Sequence, residues 1–214
     1  VEMLKTLTLP TGETYEQPIG LFINNEFVAA KSGRKLTTID PSTESEIVDV
    51  HCAGIEDVEL AVAAAKESHK PSSEWRTMDP TDRVALILKL ASLVESNLET
   101  MAKLESWDSG KPMGSNATAD IQSVVNYLRY CAGWSDKLHG KQIPLAGQRF
   151  AITKRYPLLV GCIVPWNYPL AMASWKFCPA LACGCSIVMK SSEITPLSLL
   201  YFANLVKEAG FPAG

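Results

Sequence analysis

The sequence predicts an α/β fold built around a parallel sheet. Residues 161–214 read strand–helix–strand–helix, the repeating unit of such sheets. The middle of the chain carries apolar residues at helical spacing. Near the start lie short strand candidates separated by turn residues.

The elements follow in order. "LFINNEFVAA" and "KSGRKLTTIDPSTESEIVDVHCA" (21–53) read as short strands, with turns at Asn24-Asn25 and Ser32-Gly33. "EDVELAVAAAKESH" (56–69) is helical, with Val58, Val62 and Ala65 on one face. Asp79 caps the next helix and Pro80 sits in its first turn. Leu86, Leu90, Leu93, Leu98, Met101 and Leu104 keep helical spacing until Gly110, Pro112 and Gly114 end it. A further helix spans about 117–138, with Ile121, Val125, Leu128 and Ala132 inward, and Gly140 stops it. "KQIPL" and "RFAITKRYPLLV" read as strands. "GCIVPW" is a buried strand, Pro169 opens a helix to about Ala182, and "CSIVMK" is a second strand. Thr195 and Pro196 start the last helix, which Gly210 and Pro212 terminate.

Bulk properties narrow the function. A chain of 214 residues makes one large domain or two small ones, and a domain this size buries roughly 70% of its unfolded surface. Its 47% apolar and 20% charged residues are ordinary globular composition. A net charge of −3 and a pI near 5.7 offer nothing to nucleic acid or an anionic membrane. No apolar run approaches the roughly 20 residues of a membrane span, and "LKTLTLP" is too short and polar for a signal peptide. The six cysteines form no C-x-x-C, and the three histidines are scattered, so no metal site is expected. Buried free thiols in a reducing compartment are the expectation. The chain begins at Val1, which leaves cytoplasm and mitochondrial matrix both open.

"GCIVPWNYPL" (161–170) raises the functional question. A nucleotide-binding strand-to-helix turn normally carries glycines, and this one carries none. Read alone, Asn167 is a helix cap before Pro169, while Lys190 and Glu193 are solvated charges. Together with "ESWDSGKP" (105–112), "YCAGWSDKLHG" (130–140) and "MKSSEITPLSLLYFANLVKEAGFPAG" (189–214), however, the stretch "IVPWNYPL" resembles the NAD(P)-dependent aldehyde dehydrogenase superfamily. The likeness covers essentially the whole chain, and "TYEQPIGLFINNEFV" (14–28) makes it most similar to the fungal members.

The resemblance implies an incomplete Rossmann-like parallel sheet with helices, plus N-terminal strands and an oligomerisation hairpin. It divides the chain into N-terminal strands and helices of the cofactor-binding domain (1–140), oligomerisation strands (141–160) and the first βαβα unit of the NAD-binding domain (161–214), with the catalytic domain absent. It assigns Ile163, Val164, Pro165, Trp166, Asn167, Lys190, Ser191, Ser192 and Glu193 to NAD, with NADP also accepted. Asn167 also donates to the oxyanion formed when a cysteine thiolate attacks the aldehyde. The thiohemiacetal then loses hydride to NAD+, and water releases a carboxylic acid. That cysteine and the general-base glutamate are expected beyond Gly214, so this chain alone is expected to be inactive. Partners implied are an aldehyde and further copies of the full-length subunit, as a dimer or tetramer. The alternative is a non-catalytic truncated homologue that acts by oligomerising with a full-length enzyme.

Three departures from the family pattern stand out. Ser191 and Ser192 replace its proline and alanine, Cys185 replaces an asparagine, and the segment between Pro157 and Pro165 is one residue short. A one-residue change in a strand reverses which side chains face inward unless a bulge compensates. Half a sheet also leaves unpaired edges, so helices 169–182 and 196–209 are expected to pack poorly.

Overall fold

The structure, a computed structural model, describes residues 3–154 and 156–214. It is mixed α/β, and its sheets among the described residues are all two-stranded. An antiparallel hairpin of β1 (Leu4–Thr8) and β2 (Thr14–Pro18) opens the chain. Sequence patterning does not announce this hairpin, because β1 buries Leu7 alone among its residues. The next hairpin was legible. β3 (Leu21–Ile23) and β4 (Glu26–Val28) are joined by Asn24 and Asn25, at φ 55° and 62°. Two successive left-handed residues match the twist of a tight hairpin, and asparagine tolerates that conformation. β5 (Lys35–Ile39) and β6 (Glu46–His51) form the third antiparallel pair.

The helical layer follows. α1 (Ile55–Glu67) is anchored by Asp57, whose carboxylate accepts from the Gly54 N–H at 2.8 Å and the Lys31 N–H at 3.0 Å. Ala65 is buried as expected, but Val58 is 50% exposed and is no part of an inward face. After the single turn α2 (Glu74–Thr77), α3 (Pro80–Ser96) starts at Asp79, which accepts from the Thr81 N–H at 2.9 Å. Asn97 separates α3 from α4 (Leu98–Ser109), and its amide donates back to the Leu93 carbonyl at 2.9 Å. Gly110, left-handed at φ 73°, ends α4. A wide helical turn, Met113–Ala117, leads into α5 (Thr118–Ala132). α5 ends at Ala132, six residues before the expected end at about Leu138; the Trp134 N–H instead donates to the Cys131 carbonyl in a turn.

β7 (Gln142–Leu145) and β8 (Arg149–Ile152) form a hairpin that exposes Ile143, Leu145, Phe150 and Ile152. β9 (Leu159–Ile163), α6 (Pro169–Ala182), β10 (Ser186–Lys190) and α7 (Leu197–Ala209) complete the chain. β9 and β10 pair in parallel, from Ser186 opposite Leu159 to Lys190 opposite Ile163, without a bulge. The short segment before Pro165 therefore leaves this pairing regular, with Cys162 and Val164 buried and Ile163 75% exposed.

The expectation that the last two long helices pack poorly does not hold. Leu170 and Cys178 of α6 and Leu205 of α7 are buried, and the Phe177 and Phe202 rings stack 4.6 Å apart. Their inner faces meet Leu90, Val94, Met101, Ile121, Val125 and Leu128 of α3, α4 and α5 in one continuous core. Helix against helix substitutes for helix against sheet, because either buries an apolar stripe.

Candidate functional site

The two turns singled out in the sequence lie side by side at the carboxyl ends of β9 and β10. The Val164 N–H donates to the Lys190 carbonyl at 3.0 Å, and the Thr195 hydroxyl donates to the Trp166 carbonyl at 3.5 Å. Open α/β sheets bind ligands at this edge.

In the first turn Val164 is buried, Pro165 half-buried, and Trp166, Asn167 and Tyr168 exposed. Asn167 does not cap α6: Tyr168 takes the N-cap position, without a side-chain capping bond. The Lys111 ammonium lies 4.5 Å from the centre of the Tyr168 ring, a cation–π contact. In the second turn the Lys190 ammonium meets the Glu193 carboxylate at 2.6 Å, and both side chains are exposed. That hydrogen bond holds the Glu193 carboxyl below its usual range. Ser191 is half-buried and Ser192 buried.

Ile163, Lys190, Ser191 and Glu193 line an apolar cleft of about 850 Å³ that also takes in Phe22 and Phe202. Val164, Pro165, Trp166, Asn167 and Ser192 lie outside its lining. Burial raises the Cys162 and Cys178 thiols above their ordinary range, which disfavours the thiolate. Among the described residues no cluster of three or more His, Cys, Asp or Glu could hold a metal ion, and no helix is long and apolar enough to cross a membrane.

Two groups behind the turns escaped sequence reasoning. Glu105 and Asp108 of α4 are buried, with 0% and 3% exposure. Glu105 accepts from the Leu170 N–H at 3.2 Å and from the Lys111 ammonium at 3.2 Å; Lys111 also reaches Asp120 at 2.7 Å. Asp108 accepts from the Leu197 N–H at 2.8 Å. Burial raises the Glu105 carboxyl, with Lys111 opposing. Burial pushes Asp108 up to about 8, with the Leu197 N–H opposing and Glu105 adding to the rise. The available signal was a pair of carboxylates at i and i+3 on the apolar side of a helix.

The sequence matches the aldehyde dehydrogenase family over residues 27–214. This chain belongs to the aldehyde dehydrogenase family. An aldehyde dehydrogenase-like protein of Schizosaccharomyces pombe is 48% identical over 214 residues, which is all of this chain and 42% of that protein. An aldehyde dehydrogenase of Emericella nidulans is 48% identical over 201 residues, covering 94% of this chain and 40% of that protein. The fungal likeness read from residues 14–28 thus extends along the chain. Among solved structures, the NAD+ complex of an aldehyde dehydrogenase from Bacillus cereus superposes with a TM-score of 0.88 at 46% identity, over 91% of this chain and 40% of that one. The chain therefore spans about two fifths of the length of the aldehyde dehydrogenases it matches.

Proposed function

We propose that this chain is the N-terminal, cofactor-side portion of an aldehyde dehydrogenase that oxidises aldehydes to carboxylic acids with NAD+. The observation that carries the reading is the adjacency of the two turns at the ends of paired parallel strands: one carries exposed Asn167, the other exposed Lys190 and Glu193. The donor set suits a dinucleotide. The Glu193 carboxylate can accept from ribose hydroxyls, Lys190 can donate to the same ribose, and the apolar surface of Ile163 can cover a ring. When bound, NAD+ supplies the hydride acceptor. Glu193 repels a 2′-phosphate, and Lys190 partly offsets that repulsion, which favours NAD+ while admitting NADP+.

The part of Asn167 is electrostatic. Its amide N–H, aimed at the aldehyde oxygen, stabilises the negative charge that develops when a thiolate attacks the carbonyl carbon. Removal of one such donor typically lowers kcat by about 100- to 1000-fold. The thiolate and the general base are assigned to the remainder of the subunit, since Cys162 and Cys178 are buried with raised thiols. The chain alone should therefore not turn over.

The test is an assay of the full-length protein with acetaldehyde and NAD+, alongside N167A and the isolated 214-residue chain. Activity in the first, a deep loss in the second and none in the third support the reading. Activity of the isolated chain that disappears on mutation of Cys162 or Cys178 would overturn it. A second reading, a non-catalytic homologue that joins oligomers of a full-length enzyme, is favoured by the β7–β8 hairpin with its exposed Ile143, Leu145, Phe150 and Ile152. In either case the partner is a further subunit of the same family, in a dimer or tetramer.

A further inference from the structure

α6 and α7 begin at the two turns, and neither starts with a side chain that caps it. Tyr168 and Pro196 occupy the N-cap positions, with no side-chain capping bond from either. The first turn of any helix leaves N–H groups without intrahelical partners, and here Leu170 and Leu197 are fully buried. Their acceptors come from 65 and 89 residues away, as Glu105 for Leu170 and Asp108 for Leu197. The two carboxyl groups are three residues apart and so share one face of α4.

A buried carboxyl is a costly choice of acceptor for a buried N–H. Buried ionisable groups are costly to desolvate, and apolar replacements often pack as well or better. Asp108 has no salt-bridge partner among the described residues, and its Oδ1 has no hydrogen-bond partner there. Such groups do supply direction: each accepts from one particular N–H, and each helix end carries one particular turn. Lys111 extends the arrangement, bonding Glu105 while lying against the Tyr168 ring.

We propose that Glu105 and Asp108 are positioning residues for the cofactor site, Glu105 holding the 165–169 turn that carries Asn167 and Asp108 holding the 191–196 turn that follows Lys190. One helix then sets where Asn167 stands relative to Glu193. The proposal rests on the reading of these turns as a cofactor and oxyanion site.

The experiment uses the full-length protein with E105Q, D108A and D108N. E105Q leaves one carbonyl oxygen for two donors, D108A removes the acceptor for Leu197, and D108N keeps it. D108A should raise the NAD+ KM and the NAD+ Kd, read by quenching of the tryptophan fluorescence, by about tenfold, the scale of one lost hydrogen bond. Its kcat should stay within about twofold, and D108N should restore the cofactor KM. E105Q should lower kcat by about tenfold or more through displacement of Asn167, with the NAD+ KM within about threefold. Residue-resolved amide hydrogen exchange supplies the readout that needs no turnover: Leu197 should exchange faster in D108A alone and Leu170 in E105Q alone. If D108A does not accumulate, Asp108→Ser, too short to reach Leu197, takes its place. Equal acceleration at both amides, parallel changes in kcat and KM in both variants, or no rescue by D108N overturns the proposal. A full-length wild type without NAD+-dependent oxidation refutes the functional reading instead, and amide exchange then decides whether each carboxyl group holds its own turn.

Discussion

Glu193 is the residue on which cofactor choice should turn. Its carboxylate is exposed and paired with Lys190, and under the proposed function it exchanges that partner for a ribose hydroxyl. In the full-length protein E193Q should weaken NAD+ binding by about tenfold or more, the scale of a charge-assisted hydrogen bond, while relatively favouring NADP+. The measurement is kcat/KM for each cofactor, and an unchanged ratio would mean that Glu193 does not face the ribose. Asp108 sets a different dependence. Burial raises its carboxyl from 3.8 to about 8, so between these values the folded chain holds a proton that the unfolded chain has released. Its contribution therefore favours folding most at low pH and is lost as pH rises through that window, by at most about 1.4 kcal/mol per pH unit. D108N has no such proton. Urea midpoints compared at about pH 5 and pH 8 should fall less in D108N than in wild type, and equal falls would place Asp108 in a wetter setting than the structure shows.

Elements differ in how openly the sequence declares them. The β3–β4 hairpin is written in Asn24-Asn25, because few residues accept left-handed φ twice in succession. Asn24→Gly should be nearly neutral in thermal unfolding, and Asn24→Val should cost about 1–2 kcal/mol from the β-branched clash; equal stability of the two would contradict the turn geometry. α6 and α7 were legible from Pro169, Pro196 and Gly210, and their bounds fall within a residue of expectation. The end of α5 was not, since the apolar spacing persists through Trp134 and Leu138 although the chain turns at Gly133, leaving both side chains exposed. The β1–β2 hairpin was hidden for the opposite reason. It buries too few side chains for a period of two to show.

At the scale of the whole chain, the helices close one face and leave another open. α6 and α7 bury their inner faces on α3, α4 and α5. The apolar cleft of about 850 Å³ along β9 and β10 and the exposed hairpin β7–β8 remain. Apolar surface of this kind promotes association, and two-stranded sheets keep open edges. The 214-residue chain, purified by itself, should bind an apolar dye such as ANS and elute as mixed oligomers in light-scattering chromatography. A monodisperse monomer that binds no dye would show that these faces are covered. Helix packing should nonetheless survive, with slow amide exchange in α3 and α5 and the fastest in β7–β8.

The sequence by itself determined the α/β class, the bounds of α6 and α7, the tight turn at Asn24-Asn25 and the two motif-bearing turns. Each rests on contiguous residues, whose local conformational preferences and apolar spacing can be read along the chain. Tertiary structure alone decided that the two turns touch, through Thr195 and Trp166. It also decided that Glu105 and Asp108 stand behind them, and that the last helices find a core without a wide sheet. Those contacts join residues far apart in sequence. A buried N–H takes whichever acceptor the packing of other elements delivers, and no local pattern specifies which one arrives.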